Sequence, residues 1–222
     1  KKLDFFVVTD VGGKVLVSMT SPDLEGYNYS RNVFVQRAMR GKFEITTEIV
    51  DDKELKRLGI LEKSKVSGVA PKEALIIMAY MPLVNNNEII VGTVLTGYLL
   101  NNNISIVLED LIHGDSYDAS IFLNNIRVVS SLTLKNPFVL SESLDNRISE
   151  GVLTAKKNYV GRININNEWY MGGYTPIFNI EKKVVGILGI GIPERKIFGL
   201  RDKAEFIFLL AVIISIILAL IA

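Results

Sequence analysis

The chain has 222 residues, no cysteine, and 25 basic residues against 24 acidic ones. That balance excludes the one-sided positive field on which nucleic-acid binding depends, and the lack of cysteine excludes disulfides, thiolate metal sites and cysteine nucleophiles. The length suits one large domain or two of about 100 residues, each able to bury a core.

In chain order, FFVVT at 5–9, Asp10-Val-Gly-Gly13 and KVLVSM read as strand, tight turn and strand, with glycine supplying the positive φ a hairpin needs. Ser30 is placed to cap a helix through VFVQRAM, and Gly41 to end it. FEITTEIV predicts a strand and DDKELKRLGIL a short charged helix. EALIIMAYMPL and EIIVGTVLTGYLL predict two strands, joined by Asn85-Asn86-Asn87, residues that tolerate a left-handed turn. After a helical connection through ISIVLEDLI the pattern restarts with DASIFLN, Asn124-Asn125 and IRVVSSL. A helix over 143–155 carries Leu144, Ile148 and Val152 on one face. YVGRININ, EWYMGGYTPIF and KKVVGILGIGI complete the second set of strands.

The restart is a repeat. YMPLVNNNEIIVGTVLTG at 80–97 returns as YTPIFNIEKKVVGILGIG at 174–191, so that Tyr80, Pro82, Gly92 and Gly97 recur as Tyr174, Pro176, Gly186 and Gly191, each 94 positions on. The spacing predicts an α+β chain of two tandem units, each an antiparallel sheet of about five strands with flanking helices. The proline ends hydrogen bonding on one side of its strand, and the glycines let the returning strand approach a neighbouring backbone.

The tail FIFLLAVIISIILALIA runs 17 residues from Phe206 to Ala222 without a charge, close to the roughly 20 that span a bilayer. The expectation is a C-terminal transmembrane helix, entered through a helix opened by Pro193, in a chain that is a piece of a longer protein. The expected divisions are 1–113, a first unit with its connecting helix; 114–194, a second unit; and 195–222, a signalling helix entering the membrane. Arg195, Lys196, Arg201 and Lys203 alone would place that flank in the cytoplasm, but the rule is weak beside a long folded domain.

The runs VVTDVGGKVLVSM, SPDLEGYNYSRNVFVQRAMRGK, MAYMPLVNNNEIIVGTVLTGYLLNN and YVGRININNEWYMGGYTPIFNIEKKVVGILGIGIPE, in that order, span nearly all of residues 4–194. In them the sequence resembles the double Cache family of extracytoplasmic sensory domains, found in bacterial sensor histidine kinases and chemoreceptors. The resemblance implies PAS-like sheets, a small-molecule pocket in one of them, a homodimer at the cell membrane with the sensor outside, and helices that carry ligand binding through the membrane as a small displacement. The Arg-Pro-Tyr-Phe run often seen where the family's capped helix begins reads Asn32-Val33-Phe34-Val35 here, so its arginine and tyrosine ligand contacts do not carry over.

No phosphate-binding lysine loop, nucleophile elbow or nucleophile–base pair stands out, so the region is expected to bind and signal without cofactor, metal or catalysis. His113, the single histidine, suits a helix C-terminus rather than a zinc site. The polar candidates for ligand binding are Arg162, Asn164, Trp169, Tyr170 and Tyr174 on paired strands. Arg162 and Asn164 share a face, and a guanidinium holds a carboxylate through two parallel hydrogen bonds, which points to a small carboxylate or amino acid. The competing reading gives Arg162 a surface acid partner. In the first unit Asn32, Arg37 and Tyr80 are further candidates. The alternative function is a membrane-anchored protein-interaction module with no small-molecule ligand.

Overall fold

The computed structural model describes residues 3–65, 71–106, 117–134 and 139–196. The first half holds β1 (Phe5–Asp10), β2 (Val15–Ser18), helix α1 (Val33–Met39), β3 (Glu44–Asp51), α2 (Asp52–Arg57), β4 (Glu73–Val84) and β5 (Ile90–Leu99). A short turn α3 (Ile104–Ile106) follows, then β6 (Asp118–Leu123), β7 (Ile126–Ser130), α4 (Asn146–Leu153), β8 (Tyr159–Ile165), β9 (Glu168–Phe178) and β10 (Val184–Pro193). The strands form two five-stranded antiparallel sheets, ordered β2-β1-β5-β4-β3 and β7-β6-β10-β9-β8. The second order repeats the first, five strands on, as the 94-residue spacing predicts.

Local chemistry explains the turns. Asp10 Oδ1 accepts from the N–H groups of Gly12 at 2.8 Å and Lys14 at 2.9 Å, while Gly13 takes a φ of 81°. The cap of α1 is Asn32 rather than Ser30, because the helix starts at Val33; its Oδ1 accepts from Phe34 N at 2.9 Å and Val35 N at 3.2 Å. Gly41 ends that helix with a φ of 78°, and Lys42 N donates to Arg37 O at 3.1 Å. Between β4 and β5 the left-handed residue is Glu88, not an asparagine. Asn85 instead fixes the turn with its side chain, accepting from Asn87 N and Ile89 N. Helix α4 is shorter than the predicted span, starting under the Asp145 cap, and it buries Ile148 and Val152 as the periodicity requires.

The repeated glycines occupy equivalent positions. A Cβ on Gly92 would stand 2.1 Å from Thr9 O, and one on Gly186 2.4 Å from Phe122 O. Each lies next to a bulge, since pairing skips Val91 in β5 and Val185 in β10, again 94 residues apart. Val91 is exposed, whereas Val185 is buried.

Three apolar clusters result. Phe5, Leu55, Ile76 and Tyr80 lie in the core between the first sheet and its helices. Phe122, Ile148, Ile163 and Tyr174 lie in that of the second. The third joins the units, with Leu75 and Leu100 against Ala119, Ile121, Val128, Val129 and Val185. Polar bonds reinforce the seam: Glu48 accepts from Ile180 N at 3.1 Å and Asn179 Nδ2 at 3.3 Å, and Asn102 N donates to Val128 O at 2.8 Å.

Among the described residues no helix is long and apolar enough to cross a membrane. The expected transmembrane helix at 206–222 and His113 both lie outside the described residues.

Candidate functional site

Strand β8 is the edge of the second sheet, and its alternation sorts the side chains. Ile163 faces the core, whereas Arg162 and Asn164 are exposed on the opposite face. On β9, Tyr170 and Tyr174 are buried and Trp169 is exposed. Register pairs Asn164 with Trp169 and Tyr159 with Tyr174.

A cavity of about 760 Å³ wraps this edge, within the size range of small-molecule sites. Arg127, Tyr159 and Tyr174 form its inner wall, Asp145 and Arg147 its α4 side, and Arg162, Asn164 and Trp169 its outer rim. Burial pushes the Tyr174 hydroxyl up to about 12, with the Arg127 charge acting in the opposite direction. Four of the five second-unit candidates thus meet at one opening. Tyr170 does not line it; this side chain is buried and donates to Glu168 Oε2 at 3.1 Å, and burial first, then nearby Asp118, raises its pKa.

Arg162 is already engaged. Its Nε and Nη2 hold the two Glu194 carboxylate oxygens at 2.6 and 2.8 Å, and its guanidinium lies 4.1 Å from the centre of the Trp169 ring. The hydrogen bond to Glu194 raises its pKa. Beside this pair, Arg195 Nε lies 2.6 Å from Glu168 Oε1. Two ion pairs therefore connect the β8–β9 hairpin to the residues that follow β10.

Arg127 was not evident from sequence. Only 5% exposed, it donates through Nη1 to Glu142 Oε2 at 2.8 Å and Val139 O at 3.2 Å, with the Phe122 ring centre 5.1 Å from its guanidinium carbon. A register shift between Ile121 and Phe122 skips Val128 and pairs Arg127 with Phe122, a residue of the inner core. The available signal was one arginine inside the otherwise uncharged run IRVVSSL.

In the first unit Arg37 and Tyr80 form a closed cluster with Glu44. Arg37 Nε lies 3.0 Å from Glu44 Oε2 and 2.8 Å from the Tyr80 hydroxyl, which itself donates to Glu44. The Tyr80 hydrogen bond, then Arg37, holds the Glu44 carboxyl below its usual range, and burial with the Glu44 bond pushes Tyr80 up to about 12. Asn32 is occupied as the α1 cap, although it also lines a cavity of about 410 Å³ with Tyr29, Glu54 and Arg57. Among the described residues no group of His, Asp and Glu could hold a metal ion.

Residues 98–204 match the family model described as single Cache domain 3. No curated protein sequence matches. Solved structures with a similar chain path include the ligand-binding domain of the Campylobacter jejuni chemoreceptor Tlp3 in complex with 4-methylisoleucine, at 16% identity and a TM-score of 0.49, covering 86% of this chain and 65% of that one. The ligand-binding domain of the Pseudomonas aeruginosa amino acid chemoreceptor PctB, in complex with L-Arg, aligns at 13% identity and a TM-score of 0.46 over 89% of this chain and 74% of that one. An extracellular ligand-binding receptor from Desulfohalobium retbaense aligns at 10% identity and 0.46, over 85% of this chain but only 30% of its own. Strands β6 to β10 all fall inside the segment that this family model matches, and a first sheet of the same strand order precedes it.

Proposed function

We propose that the chain is the extracytoplasmic sensor of a transmembrane receptor of the histidine-kinase or chemoreceptor kind, and that it binds a small carboxylate or amino acid in the cavity of its second unit. The 760 Å³ opening at the β8 edge carries this reading, because it brings aromatic walls and basic side chains together. Apolar walls with a few placed polar groups are what small-molecule sites require. Residues 1–113 and 114–194 act as the two units, and 195–222 as the signalling segment entering the membrane of a homodimer. Arg162 stands at the rim, where its Glu194 pairing ties the hairpin to the residue just before that segment, and Glu168 pairs with Arg195 at its start. A ligand shifts the output only through different affinity for two packings of sheet against segment.

A thermal-shift screen of the whole chain against organic acids, amino acids, amines and purines tests this. A ligand at about 100 times its Kd adds roughly 2.7 kcal/mol. The expected hit is a carboxylate-bearing compound whose affinity falls at least tenfold in Tyr159→Ala or Trp169→Ala. A hit that binds both variants as well as the parent removes the cavity from the reading.

The second reading, a partner-binding module, draws on a row of exposed apolar side chains, Val160, Met171, Ile190 and Ile192, on the second sheet. Absence of any hit, with an added protein partner protecting Met171 from oxidation, would favour it.

A further inference from the structure

Two buried nitrogen donors have no acceptor among the described residues, Asn101 Nδ2 and Arg127 Nε. Asn101 is 1% exposed and Arg127 5%. Buried donors in native folds find a partner, and leaving one bare is destabilising. Among the described residues that partner is missing, so water or a bound molecule has to supply it.

Both residues stand in the wall of one further cavity, of about 330 Å³, at the seam between the units. Its walls come from Pro71, Lys72 and Glu73 at the entry to β4, Asn101 just past β5, and the β6–β7 turn. The surrounding bonds fix the donors. Asn101 Oδ1 accepts Leu75 N–H at 2.9 Å, which orients the amide and leaves its Nδ2 unused. Arg127 spends Nη1 on Glu142 and Val139, which leaves Nε. Leu123, Ile126 and Val128 supply apolar wall, and the exposed Lys72 stands at the rim. One water claims only about 30 Å³, so a single bridging water does not fill this space.

We propose that this seam cavity is a second small-ligand site, which takes a short aliphatic carboxylate. Its oxygens accept from Asn101 and Arg127, with Lys72 balancing the charge, and its carbon body lies against Leu123 and Ile126. Such a ligand touches both sheets and strengthens their docking. The site does not depend on the edge cavity, with which it shares only Arg127.

The test is a titration of the whole chain with sodium isobutyrate at constant ionic strength, read as the thermal midpoint. A saturable rise is expected, with at least tenfold weaker binding of the neutral isostere isobutyramide. Asn101→Asp keeps the acceptor for Leu75 N–H but replaces the donor with an acidic oxygen, and it should abolish the rise. Arg127→Lys, which retains the charge beside Glu142, should weaken it, while Trp169→Ala at the other cavity should leave it intact. No saturable rise in the parent, or an equal rise in Asn101→Asp, overturns the proposal. Loss of the rise in Trp169→Ala together with its survival in Asn101→Asp also overturns it, by assigning the carboxylate to the edge cavity.

Discussion

Arg162 shows how much a neighbouring residue decides. Its fork suits a carboxylate, and Glu194 is the carboxylate it holds. The pair is exposed on the arginine side, so Arg162→Ala is expected to shift the chemical-denaturation midpoint only slightly, with added salt shrinking the difference. Glu44 has a sharper signature. Its depressed carboxyl contributes stability that is present above the unfolded value, about 4.3, and is lost as pH falls through the lower folded value. In Glu44→Gln that acid-side loss should disappear, so the thermal midpoints of variant and parent should converge as pH drops below about 4. A gap that stays constant to lower pH would detach Glu44 from acid stability.

At the level of elements, the glycines separate two kinds of constraint. Gly92→Ala would drive a methyl group into the Thr9 carbonyl, and a misfit of that kind costs about 1–3 kcal/mol or more. Gly41 has nothing within 4 Å of its missing Cβ but a φ of 78°, so Gly41→Ala should cost only about 1 kcal/mol of backbone strain. Urea melts of the two variants would rank them, and a larger loss at Gly41 would invert the reasoning. Strand order, hairpins and the α4 face were legible because period and spacing are local properties. The cap at Asn32 rather than Ser30 and the left-handed Glu88 were not, since each depends on which side chain reaches a backbone N–H. Arg127 was hidden for a different reason: a register shift turned it inward, and alternation alone cannot locate a bulge. Tyr174 and Trp169 were legible as candidates, but the cavity joining them depends on α4, which lies elsewhere in the sequence.

In the whole molecule the seam is the controlling feature. Leu75 is fully buried in the apolar cluster between the sheets, so Leu75→Ala should cost about 2–5 kcal/mol. Because that loss falls mainly on the docking of the units, calorimetry should show one transition in the parent and two in the variant. Glu48→Ala removes the acceptor for Ile180 N and Asn179, and should push the same way more weakly. A variant that still melts in one step, with the full loss of midpoint, would place Leu75 in one core only.

Val185 carries this one step further. Where the β5 bulge leaves Val91 in water, its counterpart in β10 puts Val185 against the first unit's Leu75 and Leu100, beside Ile121, Val128 and Val129. A gene fragment encoding residues 98–204 alone would strip Leu75 from that surface and present an adhesive back, which should dimerise or aggregate in light scattering. Any fusion that transplants the second sheet therefore inherits a choice of cut: the two sheets have to travel together, or the transplanted one needs polar residues across its back.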